Sequence, residues 1–232
     1  MTTAAPAGFW RRCAAWTLDA VVLAPVAALA CAGTIAARAV ACADAADALA
    51  ALLAARMAQA FAGMASPALL LQQWLGDPAL RDAVRALQAA AAALAWPPLL
   101  VFAALSLAWH LGFEASPRRA TPGQRALGLR VEDANGAAPG IGRLLLRFGA
   151  GAASWATLNI GHALAAVPPL HRALHDRLSA TRVVVVAGAG PLPGWAKAWL
   201  WLLAAALLLA QAWLAAAWWT TLDAALLREL GG

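Results

Sequence analysis

Four stretches of the chain are apolar over nearly the thickness of a membrane. They run from Ala14 to Ala37, Ala89 to Phe113, Leu144 to Leu170 and Trp195 to Trp219. A helix needs about 20 mostly apolar residues to span the hydrocarbon core. Tryptophans stand near the ends of these stretches, as interfacial anchors do. The pattern predicts that the first, second and fourth stretches are full transmembrane helices and that the third stretch is of a different kind.

The third stretch carries polar residues where a span should be most apolar. Arg147 lies near its start, and Asn159, Gly161 and His162 lie near its middle. Backbone that leaves the helix at membrane depth is tolerated only when it is buried in protein or lines water. We therefore expect a re-entrant hairpin here, with a kinked fourth span as the alternative.

Two short segments on either side of the third stretch have the pattern of strands. Leu127, Leu129 and Val131 alternate with more polar residues, and Asn135-Gly136 is a turn signal. A β-branched run follows at Thr181–Val186. Two such strands can pair only on one side of the membrane, which favours the hairpin. The predicted fold class is therefore an all-α integral membrane protein with a small cytoplasmic β element.

Residues 38–88 are predicted to form an external helical insertion. Residues 43–65 suggest an amphipathic helix bounded by Ser66-Pro67, lying outside or on the outer leaflet. Asp77-Pro78 has the form of a helix start, with an acidic N-cap before a proline. No catalytic or ligand-binding motif is recognisable in this insertion.

Composition supports the membrane class and gives an orientation. Apolar residues make up 63% of the chain and charged residues 12%, against about 45–50% and 25% in soluble domains. With a cytoplasmic N-terminus and a re-entrant third stretch, few of the 17 basic residues face outward. These are Arg38, Arg56, Arg81, Arg85 and Arg228. The net charge of +6 is thus interpreted as an orientation signal, and no nucleic-acid partner is expected.

Asp19 is the most informative single residue, because it is an acid inside the first apolar stretch. A carboxylate in a span costs about 2.5–3.5 kcal/mol on insertion scales and is functional by default. Arg12 precedes it by two turns on the same helix face, about 10.5 Å away along the axis. Two interpretations stay open: a structural ion pair, or a carboxylate that binds a proton or cation.

A second polar cluster runs from His171 to Arg177. Its two histidines have metal-ligand spacing, but no further ligand set accompanies them, so neither a metal nor a cofactor is expected. Asp176 is predicted to pair with an arginine of the 114–147 region. The supporting residues are Arg125, Arg130, Arg147, Arg177 and His175. No nucleophile with a converging base is recognisable, so an enzyme is not expected.

Three separate motifs resemble the RDD family of bacterial membrane proteins. They are Gly8–Arg12 continuing to Leu18-Asp19, Thr121–Val131 with Asn135-Gly136, and Leu174–Thr181 with the following valines. By this resemblance the Arg and two Asp of the family name fall on Arg12, Asp19 and Asp176. The resemblance covers residues 7–37 and 89–187. Two departures are Gln124 in place of a basic residue, and a basic run shortened to His171-Arg172.

The resemblance implies a transport-related role, with cation or proton exchange suggested for some members, in the bacterial inner membrane. We divide the chain into an RDD-like membrane domain at 7–187, containing the 38–88 insertion, and an additional C-terminal helix at 188–232. The lipid bilayer is the expected partner, with a proton or cation as cargo. Self-association is expected because one protomer is small for a closed pathway. The alternative is a non-transporting scaffold or assembly partner in which the three named residues are purely structural.

Overall fold

The computed structural model describes residues 5–63, 66–156 and 159–231, and helices dominate them. In chain order the longer elements are α1 (Phe9–Ala30), α2 (Ala32–Ala62), α3 (Pro67–Gly76), α4 (Pro78–Glu114), α6 (Ile141–Ala156) and α9 (Gly194–Leu230). The shorter elements are α5 (Pro122–Ala126), β1 (Leu129–Asp133), α7 (Ile160–Ala163), a 3-10 turn (Leu164–Ala166), α8 (Leu174–Leu178) and β2 (Thr181–Val185).

Three of the described helices, α1, α4 and α9, are long and apolar enough to cross a membrane. This confirms the predicted membrane class and three of the apolar stretches. The first helix ends at Ala30 rather than Ala37, because Cys31 adopts a turn whose N–H reaches Ala28. The alanines beyond it begin α2, which continues without a break to Ala62. The insertion helix therefore starts earlier than predicted, as alanine-rich sequence favours helix throughout.

The third apolar stretch is not one helix. It divides into α6 with 16 residues, α7 with 4 and a 3-10 turn with 3. Asn159 adopts the left-handed conformation directly before α7, with φ 64°. Because 16 helical residues rise about 24 Å, α6 is shorter than the hydrocarbon core is thick. The choice between a re-entrant hairpin and a kinked fourth span, both of which interrupt the helix in this stretch, stays a prediction.

The chain forms two compact units by its internal contacts. Unit one comprises Met1–Ala27 and Val101–Leu203, and unit two comprises Ala28–Leu100 and Ala204–Gly232. The division into 7–187 and 188–232, drawn from the sequence, stays a prediction.

The core of unit one joins the start of α1 to a two-stranded sheet. Strands β1 and β2 pair antiparallel with Val131 opposite Val183, so both segments predicted as strands are confirmed and they meet each other. Gly136 closes the turn after β1 with a φ of 85° that favours glycine. The buried apolar residues come from α1, both strands, α6 and α9: Ala14, Ala15, Leu129, Val131, Leu144, Val183 and Ala196.

Unit two contains the helices of the insertion. Ser66 caps α3 by accepting a hydrogen bond from the Leu69 N–H at 3.4 Å. Asp77 caps α4 by accepting from the Ala79 N–H at 2.8 Å, which confirms the predicted helix start. The other carboxylate oxygen of Asp77 pairs with Arg56 Nε at 2.7 Å. One acid therefore starts α4 and ties it to α2.

Candidate functional site

Asp176 is fully buried in unit one and receives two arginines. Arg12 Nη1 of α1 lies 2.5 Å from one carboxylate oxygen, and Arg147 Nη1 of α6 contacts the other. The Asp176 side chain is 0% exposed. Asp176 also accepts a hydrogen bond from the Ala173 N–H at 3.0 Å. This carboxylate thus joins α1, α6 and α8 at a single point.

The Arg12 guanidinium is almost completely occupied within unit one. Besides Asp176, it donates to the Ala7 carbonyl at 2.9 Å and to the His171 carbonyl at 2.6 Å. A planar guanidinium presents its donors in a fixed fork, so three acceptors hold both its position and its orientation. Arg12 therefore connects the start of α1 to the segment before α8, far along the chain.

The arginines keep Asp176 ionised. Burial by itself would raise the pKa of Asp176, but Arg147, the hydrogen bond from His175 and then Arg12 hold that pKa well below its usual range. Removing one partner of a buried ion pair leaves an uncompensated charge and typically costs about 3–5 kcal/mol. The stability of the fold therefore depends on this pairing, because the charges are buried.

Two histidines adjoin this ion pair. His175 Nε2 lies 3.3 Å from Asp176 Oδ1, and the His162 ring is 5.1 Å from the His175 ring between centroids. Burial, followed by the charge of Arg147, lowers the pKa of His175, so its imidazole is neutral near pH 7. In that state Nε2 carries the proton that faces Asp176. The Nδ1 atoms of both rings are buried and have no hydrogen-bond partner among the described residues.

Asp19 lies in a second buried cluster, where all its partners are uncharged donors. The carboxylate accepts from the Thr121 hydroxyl at 2.5 Å, the Gly123 N–H at 2.9 Å and the Trp109 indole N–H at 3.1 Å. The residue is only 2% exposed. Among the described residues Asp19 therefore forms no ion pair, although a structural ion pair was one of the two interpretations left open by the sequence, and polar N–H and O–H groups stabilise its carboxylate instead.

The segment facing Asp19 is built for close approach. Thr121 and Gln124 form a capping box at the start of α5, in which each side chain accepts from the other residue's N–H. A Cβ on Gly123 would collide with the Ala15 carbonyl and lie 2.9 Å from Asp19 Oδ2. Only glycine therefore allows the backbone N–H of residue 123 to reach the carboxylate.

Glu114, the last residue of α4, links the two clusters. Its carboxylate accepts from Gln124 Nε2 at 2.7 Å, and its other oxygen lies 3.7 Å from Arg147 Nε. His110 Nδ1 lies 3.3 Å from the first oxygen. Glu114 is 4% exposed. Two arginines and two acids, Arg12, Arg147, Glu114 and Asp176, thus balance one another in this interior.

The structure brings together some of the predicted site residues and leaves others apart. Arg12, Arg147, His175 and Asp176 meet, and the expected pairing of Asp176 with an arginine of the 114–147 region is the contact with Arg147. Asp19 lies in the neighbouring cluster. Three supporting residues lie elsewhere: Arg125 and Arg177 are exposed, and Arg130 pairs with Glu132 on β1. Their arginine identity alone could not distinguish an inward from an outward side chain.

Sequence reasoning missed Trp109, Glu114, Thr121 and Gln124. A signal existed for the last two, because Thr-Pro-Gly-Gln has the spacing of a capping box. Gln124, noted as a departure from the family pattern, is the residue that completes this box and holds Glu114. No sequence pattern marks Trp109 or Glu114, since their partners lie on other elements.

The RDD family model matches residues 6–180 of the chain. The chain belongs to the RDD family. Arg12, Asp19 and Asp176 all lie within the matched range, as do the elements that supply their partners. No curated protein and no solved structure matches the chain. The RDD match ends just before β2, whereas β2 and the first turns of α9 complete the core of unit one.

Proposed function

We propose that this RDD protein is a membrane scaffold or assembly partner in which Arg12, Asp19 and Asp176 hold the fold. The observation that carries the proposal is the environment of Asp19. Three donors already occupy its carboxylate, and the residue is 2% exposed. A carboxylate that binds and releases a cation needs free coordination positions. Asp19 instead fixes the Thr121–Gln124 segment against the first membrane helix.

The same proposal includes a topology with three spans and a re-entrant third stretch. Pairing of β1 with β2 supports it, because these strands flank α6 and α7 and must share one side of the membrane. The contact between Arg147 on α6 and Asp176 on α8 supports it as well. The distribution of basic residues favours a cytoplasmic side for this unit, as in an inner-membrane protein with a cytoplasmic N-terminus.

A transport-related role is the second candidate, and one observation favours it. Ionisable groups that are buried or half-buried form a continuous series in unit one, from His162 through His175 to Asp176, and from Arg147 through Glu114 to His110. Neutral histidines next to carboxylates are groups that can relay protons. In this version, proton handling would centre on His175 and Asp176 and not on Asp19.

Cation and proton flux in reconstituted vesicles separates the two candidates. The scaffold proposal predicts that wild-type protein, Asp19→Asn and the control Asp82→Asn all give the flux of protein-free vesicles. Asp82 is a matched control because its side chain is 73% exposed. Flux that Asp19→Asn preserves and His175→Gln abolishes would instead support the second candidate. Flux lost in Asp19→Asn, with an unchanged unfolding temperature, would contradict the structural role of Asp19.

A further inference from the structure

In unit one the acidic side chains point into the interior, whereas several basic side chains lie on the surface. All its acids are turned inward: Asp19, Glu114, Glu132 and Asp176 are 2%, 4%, 2% and 0% exposed, and the Asp133 side chain is 14% exposed beside Arg143. The exposed charged residues in the described part of unit one are all basic, namely Arg118, Arg125, Arg143, Arg177 and Lys197. The outer surface of this unit is therefore cationic.

Helix α6 adds an apolar surface to this cationic unit. Leu144 and Ala150 are buried, and Arg147 turns inward to Asp176. On the outside, large apolar side chains are exposed: Ile141, Leu145, Leu146 and Trp155 are 60%, 46%, 52% and 47% exposed, and the Trp155 ring packs edge-on against Trp16 of α1. Arg143, 47% exposed, stands in the first turn of the same helix. An amphipathic helix with exposed leucine, tryptophan and arginine is typical of a membrane interface.

The ends of the candidate spans within unit one place this helix close to a bilayer surface. Helix α1 begins, α4 ends and α9 begins in this unit. Their neighbouring turns are in direct contact, because Trp109 donates to Asp19 and Trp199 donates to Thr17 at 3.0 Å. The segment between α4 and α9 therefore begins and ends at the same end of these three candidate spans, which is the end that would face the headgroups if they span.

We propose that α6 and the exposed arginines of unit one bind anionic phospholipid headgroups. As the first part of the re-entrant stretch, α6 would enter the bilayer from the headgroup boundary with its apolar face in the lipid, while the arginines contact lipid phosphates and acidic headgroups. Exposed basic residues with no exposed acids beside them match an anionic leaflet in charge. An acidic protein would match the charge too, but it would leave the leucines and Trp155 of α6 unexplained. The inference does not depend on the scaffold role.

Lipid selectivity of the full chain in phosphatidylcholine bilayers tests this. Spin-labelled phosphatidylglycerol and spin-labelled phosphatidylcholine are compared for association with the protein by electron paramagnetic resonance. The anionic lipid should associate at least about threefold more strongly at low salt. The preference should fall towards one near 0.5 M NaCl, where the screening length is only about 4 Å.

Two matched variants locate the binding surface. The test variant replaces Arg118, Arg125, Arg143 and Arg177 by Gln, and the control replaces the exposed arginines of unit two, Arg38, Arg81, Arg85 and Arg228. The test variant should lose most of the preference and the control should keep it. Because all eight positions are exposed, both variants should fold as wild type does. Their helical content and unfolding temperature check this.

A single substitution on α6 tests whether this helix lies at the proposed headgroups. Leu146→Glu places a negative charge on its exposed face, next to the proposed headgroups, and should reduce the preference by at least about twofold. Equal association of both lipids with wild type would overturn the proposal and leave an acidic protein as the better partner. An equal loss of preference in the test and control variants would overturn the assignment to unit one.

Discussion

At the scale of single residues, the polar groups of α1 derive their stability from partners more than a hundred residues away. Asp19 reaches Thr121 and Gly123, and Arg12 reaches His171 and Asp176. Each buried donor or acceptor left unpaired costs about 1–3 kcal/mol, and more if charged. These contacts therefore fix how the later segments return to the first helix, and their loss should be measured first as lost stability.

Gly123→Ala should destabilise the protein by at least about 1–3 kcal/mol, because the added Cβ overpacks against backbone and Asp19. The control is Gly149→Ala in α6, where a Cβ has no neighbour within 4 Å. That change should be neutral or stabilising by up to about 1 kcal/mol. Equilibrium unfolding of the purified protein measures both. Equal effects at the two glycines would contradict the close approach.

The protein should lose stability as pH falls below about 6.5, the ordinary pKa of histidine. Because the pKa of His175 is lowered in the fold, the unfolded chain takes up its proton first, and acid favours unfolding. The depressed pKa of Asp176 adds a further loss below about pH 4. Thermal unfolding midpoints from pH 8 to pH 3 test both losses.

His175→Gln should make this profile less steep between pH 7 and pH 5, since glutamine does not titrate. His171→Gln is the control within the same motif, because His171 Nδ1 lies 3.0 Å from the Ala165 carbonyl and away from Asp176. An unfolding midpoint of the wild-type protein that rises as the pH falls would contradict this prediction.

At the scale of elements, periodicity and local signals were sufficient to predict an element when its formation depends on its own residues. The alternation at 127–131 and the valine run after Thr181 predicted β1 and β2, and Asp77-Pro78 predicted the start of α4. The end of α1 could not be predicted in the same way. Alanine-rich sequence continues across Cys31, and the nearest glycine, Gly33, lies inside α2 and does not mark the break.

The candidate site could be predicted only in part, for a physical reason. The motifs identified Arg12, Asp19 and Asp176, but they could not pair them, because pairing depends on where distant segments meet. Arg12 and Asp19 share a helix face, which suggested one site, yet their partners differ: Asp176 for the arginine and Thr121 for the acid. A buried carboxylate can be stabilised by neutral donors as well as by cations.

The β1–β2 pairing makes a direct prediction about topology. Single cysteines at Asn135 and Ala187, both exposed, should react with a membrane-impermeant thiol reagent from the same side of the bilayer. The native cysteines at 13, 31 and 42 are first replaced by serine or alanine. Gln72→Cys, exposed in α3, should react from the opposite side if α1 and α4 both span. Labelling of positions 135 and 187 from opposite sides would contradict the re-entrant arrangement.

At the scale of the whole molecule, the RDD match and the packed unit have different limits. The match ends at residue 180, whereas unit one continues to Leu203. Ala196 is fully buried in its core, and Trp199 of α9 donates to Thr17 of α1. The first turns of α9 therefore belong to the packing of unit one, although they lie outside the family match.

Ala196→Leu should destabilise the protein by about 1–3 kcal/mol, because the larger side chain has no room in this core. The control is Ala204→Leu in the same helix, which is exposed and should change stability by less than about 0.5 kcal/mol. Unfolding of both variants under identical conditions gives the comparison. A tolerated Ala196→Leu would mean that α9 does not complete unit one.

In the proposed scaffold role, the named RDD residues act as structural partners. A double-mutant cycle with Arg12→Gln and Asp176→Asn tests it most directly, with the free energy of unfolding as the measured quantity. Each single variant should lose about 3–5 kcal/mol. The double variant should lose less than the sum, by at least about 1 kcal/mol. Additive losses within about 0.5 kcal/mol, or single variants as stable as wild type, would contradict the claim.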